Sequence, residues 1–192
     1  MMAPRGLLAA AVGAFTLGCA TGQSGRSAHS AGVTLGVGAT YGNLTGGDFT
    51  GSKAAVGFDA TAGVLLGRWQ LGVGYDRTNH DHEATDGDYV ISNVYAEPRL
   101  FFASRGIAPY AAVRLGRAMA SYEGVLGITD KATGYIAGLG AGVVVPITRL
   151  FQADIAAHYD RLSHDYGTGG YADTERGGRI SVRAGLRLMR RR

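Results

Sequence analysis

Between residues 32 and 188, apolar side chains recur at every second position, in eight separate runs. In GVTLGVGATYG (32–42), Val33, Leu35, Val37, Ala39 and Tyr41 share one face, while Thr34, Gly36, Gly38 and Thr40 share the other. The same alternation fills 54–66, 69–76, 90–102, 109–117, 134–145, 151–159 and 180–188. A period of two is the repeat of a β-strand with one apolar face, and it excludes amphipathic helices over these runs. The segment YIAGLGAGVVVPI (135–147) is the longest apolar stretch after the N-terminus, but glycines break it and a proline ends it. No helical membrane anchor is expected there.

The connections alternate as well. Runs 2–3, 4–5 and 6–7 are joined by GR (67–68), ASRG (103–106) and PITR (146–149). The other four connections are longer and polar, around 43–52, 77–88, 119–133 and 162–177. Strands of about nine to thirteen residues, with short turns at one end and long loops at the other, suit an antiparallel up-and-down barrel crossing a bilayer. Each short turn carries one arginine (Arg68, Arg105, Arg149), and Arg190–Arg192 add to that rim as a basic tail.

The less apolar face of each strand is rich in glycine, of which the chain has 32. Glycine weakens a strand and covers nothing, so it suits a crowded interior better than a solvated exterior. An eight-stranded barrel has room inside for side chains and little else. The glycines then make space for Tyr95, Tyr110, Arg99, Arg114 and Arg183, and the acids Asp59, Asp76, Glu97 and Asp154 are expected to neutralise those arginines. His158 joins this expected network as an interior hydrogen-bonded histidine. Arg99 and Glu97 are expected to pair with Asp76 and Arg114 on neighbouring strands. Outside, Tyr41, Trp69, Tyr75, Phe102, Tyr135, Phe151 and Tyr159 fall near strand ends, where an interfacial girdle would sit. Arg117 is the one charge on the outward face of these runs, and it is placed to reach lipid phosphates.

With these features, residues 32–189 resemble the small eight-stranded outer-membrane barrels of the OmpA/OmpX type, including in phrases such as APYAAVRLGRA (108–118). Such chains commonly end on an aromatic residue, where this one has Leu188 and Met189 followed by arginines. The resemblance implies a bacterial outer-membrane location, contact with outer-membrane lipid and lipopolysaccharide, and insertion by the barrel-assembly machinery.

The N-terminus MMAPRGLLAAAVGAFTLGCATG reads as an export signal over 1–20, followed by a flexible linker over 21–31. Two readings of Cys19, the only cysteine, stand side by side: lipidation after the lipobox-like TLGC, or ordinary cleavage after Ala20. The net charge of +4, with no basic run interleaved with aromatics, excludes a nucleic-acid-binding surface.

Three constellations invite chemistry. TNHDHEATDGD (78–88) gathers His80, His82 and four acids. Two ligands in an exterior loop do not preorganise a metal site, so this is read as a solvated acidic loop, with both histidines clear of the core. His158-Tyr159-Asp160 holds an aspartate where lipid A-deacylating barrels carry a serine, so that match fails and Ser163–His164 remains the one nucleophile candidate. Gly138-x-Gly140-x-Gly142 lies in a strand and opens no helix, unlike a nucleotide fingerprint. No catalytic residue, cofactor or metal is expected. The reading is a structural, surface-exposed or adhesin-like membrane barrel with a filled lumen, whose four long loops meet an unknown extracellular ligand. Two alternatives stay open: a barrel enzyme modifying lipid A, and a secreted soluble or lipid-anchored barrel holding a small hydrophobic ligand.

Overall fold

The computed structural model describes residues 31–47, 53–81, 88–103, 106–123, 129–166 and 173–191. Eight antiparallel strands follow one another: β1 (Ala31–Thr45), β2 (Ala55–Leu66), β3 (Trp69–Asp81), β4 (Asp88–Phe101), β5 (Ala108–Glu123), β6 (Thr129–Pro146), β7 (Phe151–Tyr166) and β8 (Asp173–Arg191). Each pairs with its neighbours in sequence, and β1 pairs with β8, closing the barrel. The export signal, the linker up to residue 30 and Cys19 lie outside the described residues.

Closure fixes a stagger. Pairing from Leu35 runs through Ala62, Val73, Ala96, Leu115, Ala137, Arg161 and Gly178, and returns to β1 at Thr45, ten residues further on (45 less 35). A shear of this size tilts the strands and leaves a lumen that side chains can fill. The tight connection between β2 and β3 is made at Gly67, whose φ of 62° suits the twist of a two-residue hairpin turn.

The faces divide as the alternation requires. Val33, Leu35, Val37, Val56, Leu71, Val73, Leu115, Leu139, Ile155 and Val182 are all exposed on the outer wall. The inward glycines give large neighbours their space. A methyl group on Gly74 would stand 2.5 Å from the Tyr95 ring, and one on Gly142 2.6 Å from the Tyr110 ring. Gly140, in the run that failed as a nucleotide motif, makes room for the His158 imidazole in the same way.

The strands outrun the sequence expectation at the long-loop end. Residues 43–45, 77–81, 119–123, 129–133, 162–166 and 173–177 are strand, not loop. The reason lies on the outer face. Beyond the girdle it carries Asn79, Asp81, Ser121, Lys131, Thr133 and Asp165, so the backbone ladder continues after the outward apolar signal has stopped.

Candidate functional site

The lumen is built in three layers. Towards the short turns, Leu65, Phe101, Ala108, Tyr110, Val144 and Met189 form one buried apolar cluster. Towards the long loops, Leu44, Tyr89, Ile91, Ala118, Ala120, Ile136 and Leu162 form another. Between them lies the charged layer. Five carboxylates and five arginines are buried among the described residues: Asp59, Asp76, Glu97, Asp154 and Asp160 against Arg99, Arg114, Arg179, Arg183 and Arg187. The formal balance is zero, as a layer cut off from water requires.

Pairing within the layer is dense. Glu97 accepts from Arg99 Nε at 2.6 Å and from Arg114 Nε at 2.5 Å, and stands 3.5 Å from His158. Arg99 donates through Nη1 to Asp154 at 2.7 Å. The Tyr110 hydroxyl donates to the other oxygen of Asp154 at 2.7 Å, and Arg183 donates to both groups at 3.2 Å. Arg183 also lies 3.6 Å from Asp59. Arg114 stacks over the Tyr95 ring at 4.4 Å, and Arg99 over the Tyr110 ring at 4.8 Å. With Arg114 Nη1 also 3.7 Å from Asp76, these contacts link Asp59, Asp76, Glu97, Arg99, Arg114, Asp154, His158 and Arg183.

One expected pair is corrected. Arg99 meets Asp154, across the barrel, and not Asp76. Asp76 is held by Arg179, which donates Nη1 and Nη2 to its two oxygens at 2.8 and 2.9 Å and bonds Asp160 at 2.9 Å. Asn93 donates to Asp76 as well, at 2.7 Å. Asp160 and Arg179 fall outside the expected network because the apolar alternation stops at Tyr159 and resumes at Ile180, one position short of each. Their inward parity was the signal that could have found them. Arg187 is also inward. It bonds the Gln70 side chain and lies 5.6 Å from the Phe101 ring.

His80 corrects a second expectation. It is a fully buried inward residue of β3, not a solvated loop side chain. Its Nδ1 is 2.9 Å from the Lys53 carbonyl oxygen, and its Nε2 is 2.9 Å from the Thr78 hydroxyl. Both ring nitrogens are therefore engaged in the fold. His82 lies outside the described residues, and among those described no cluster of three metal-ligating side chains occurs. Ser163 and His164 are successive residues of β7, so their side chains leave the strand on opposite faces, with His164 inward. This is no nucleophile–base pair.

Outside, the girdle forms two levels. Trp69, Phe102 and Phe151 mark the short-turn end, and Tyr41, Phe58, Tyr75, Tyr135 and Tyr159 the other. Phe58 and Tyr75 also contact one another, with ring centroids 5.8 Å apart.

No family model and no curated protein matches the sequence. Solved structures do match the fold. Neisserial surface protein A is 18% identical, covering 81% of this chain and 96% of its own, with a TM-score of 0.64. Ail, the attachment invasion locus protein of Yersinia pestis, is 18% identical over 81% of this chain and 97% of its own, at 0.52. The N-terminal β-barrel domain of Pseudomonas aeruginosa OprF is 16% identical over 82% of this chain and 97% of its own, at 0.51. In fold, this chain is a closed eight-stranded antiparallel β-barrel like these three proteins.

Proposed function

We propose that this chain is an outer-membrane protein that works at its exposed end, in a structural, surface-exposed or adhesin-like role, and passes nothing through its barrel. The observation that carries this reading is the charge-balanced middle layer of the lumen, closed above and below by apolar clusters. Ions or water would have to displace buried, mutually bonded side chains to cross it. An outer wall of exposed valine, leucine and isoleucine between two aromatic levels supports residence in lipid over a soluble ligand-binding barrel. The split of Ser163 and His164 between faces weighs against lipid A hydrolysis. Residues 1–20 would supply the export signal, and the barrel-assembly machinery would insert the chain. The segments joining β1–β2, β3–β4, β5–β6 and β7–β8 would then meet the extracellular partner.

Two measurements test this. After refolding into phospholipid vesicles, the unboiled protein should migrate faster on a detergent gel than the boiled one. In a planar bilayer, the same preparation should give no sustained current. An open-channel conductance would overturn the closed-lumen reading, and a soluble, folded protein without detergent would overturn the membrane one.

A further inference from the structure

At the long-loop end, β2 and β3 separate. Their ladder ends at Gly57–Thr78, although β2 reaches back to Ala55 against β1 and β3 continues to Asp81 against β4. Gly57 marks the parting, since a methyl group there would stand 1.9 Å from the Arg77 carbonyl oxygen. Three residues further on, the same register would set Ala54 opposite Asp81. Instead the Lys53 N–H donates to the Asp81 carbonyl at 2.9 Å, one residue out of step. His80 fills what the slip leaves. Its ring reaches the Lys53 carbonyl oxygen through Nδ1 at 2.9 Å and the Thr78 hydroxyl through Nε2 at 2.9 Å. Two bonds thus tie the root of β2 to β3, one from the main chain and one from this imidazole.

A carbonyl only accepts, so Nδ1 carries the proton, and the neutral Nε2 accepts from Thr78. A second proton would turn Nε2 into a donor facing a hydroxyl that already donates to it. It would also place a full charge on a side chain with no exposed surface. The groups around the ring do not compensate that charge. Arg179 faces it from β8, and its own carboxylate partners are Asp76 and Asp160. Tyr89, its register partner on β4, is buried, and so is the inward His164 of β7 in the same upper part of the lumen. Lys53 is exposed, and Asp81 lies on the outward, exposed side of β3. His80 stands five residues beyond Tyr75, above the aromatic level. Burial holds its pKa below the ordinary 6.5; the Lys53 carbonyl opposes that shift, Arg179 adds to it and Asp81 opposes it.

We propose that His80 is an acid-released latch, which holds the root of β2 at Lys53 against β3 while it is neutral and lets that root go when it is protonated. An imidazolium that turns out to water takes one of the two bonds with it. The root is then left on the Lys53–Asp81 bond, three residues beyond the last rung at Thr78. The latched ring has the lower pKa, so the latch is complete above about pH 6.5 and weakens as the pH falls below that value. Lys53 leads into the segment joining β1 and β2, so acid would change how that segment is presented to a partner. This use rests on the membrane reading above, whereas the latch rests on the fold alone.

The test is amide hydrogen exchange at Lys53, with the full barrel in phosphatidylcholine nanodiscs at pH 7.5 and pH 5. Each rate is divided into that of the urea-unfolded chain at the same pH, to give a protection factor. Lys53 protection should fall about tenfold in wild type between the two pH values. In H80N, which cannot titrate, it should be lower than wild type at pH 7.5 and the same at both. H164N should keep the wild-type fall. Ile91 and Ala120, paired across β4 and β5, should not change. Constant protection at Lys53 in wild type overturns the latch, as does an equal fall at Ile91 and Ala120, a fall that persists in H80N, or one that vanishes in H164N. If H80N lacks the fast-migrating folded band, wild type carries the test. Its Lys53 protection must then follow the titration of the His80 ring signals, and a different midpoint overturns the proposal. A folded barrel that is soluble without detergent overturns the membrane reading, and the same exchange measurement in plain buffer then decides the latch.

Discussion

The two faces of β7 show two ways of holding a barrel. Its inward face reads Asp154, Ala156, His158, Asp160, Leu162 and His164, and its outward face Ala153, Ile155, Ala157, Tyr159 and Arg161. Inward, each charged residue is specified by partners far away in sequence. Asp154 answers to Arg99, Tyr110 and Arg183, and Asp160 to Arg179. Outward, no partner is specified below the aromatic level, and only apolarity is required. Stability is therefore local and geometric inside, and collective outside, where the surrounding medium sets the cost of a change.

The inner face gives the largest expected effect. Arg179→Met removes the bidentate clamp on Asp76 and its bond to Asp160, leaving the two carboxylates to share Arg114, whose Nη1 lies 3.7 and 3.6 Å from them. Breaking a buried pair from one side costs about 3–5 kcal/mol. Arg179→Met with Asp76→Asn and Asp160→Asn removes the stranded charges and should recover a large part of that loss. Urea titration of the vesicle-embedded barrel reads both. A single-variant loss under about 1 kcal/mol would mean the lumen is wet, and the contrast between faces would fail.

The outer face comes next. Val73 lies between Trp69 and Tyr75 on the outward side of β3, and is paired with Ala62 and Ala96. Val73→Arg puts a charge near the middle of the hydrocarbon and should cost about 2–4 kcal/mol. Leu66→Arg, beside the Gly67 turn, should cost about 0–1 kcal/mol, because the guanidinium reaches the interface. Denaturant titration in bilayers of defined thickness separates the two. Equal penalties would mean that depth in a membrane is irrelevant to this wall.

How much of this was legible in the sequence follows from the same division. Where the outside is apolar, alternation marks the strands, their faces and most of the lumen charges, as in Leu35–Tyr41 or Ala153–Tyr159. Above the girdle the outward face turns polar while the inward one carries Leu44, Ala120, Ala132 and Leu162, so the outward apolar alternation stops although the ladder goes on. Asp160, Arg179 and His80 lie beyond that limit, where alternation no longer marks a strand. The cross-barrel choice of Asp154 for Arg99 was not legible either. It depends on the stagger of the closed barrel, and alternation within single strands carries no information about that.

His164 supplies an effect at the lower end of that expected at Val73, and it probes the barrel above the membrane. It lies five residues beyond Tyr159 on β7, faces inward and is fully buried. Burial pulls its pKa down from the ordinary 6.5 to about 4, with Asp165 opposing the shift. The folded barrel thus keeps His164 neutral at a pH where the unfolded chain binds the proton. Stability from this group is complete above about pH 6.5, falls as the pH drops towards 4, and levels off below that. The loss between pH 7.5 and 5 should be about 2 kcal/mol. His164→Asn cannot titrate, so its stability should fall less than that of wild type over the same range, by about that amount. Urea midpoints for both proteins at pH 7.5 and 5 check this. Parallel falls would show that water reaches the imidazole, and that the inner face above the girdle is no longer sealed like the face below it.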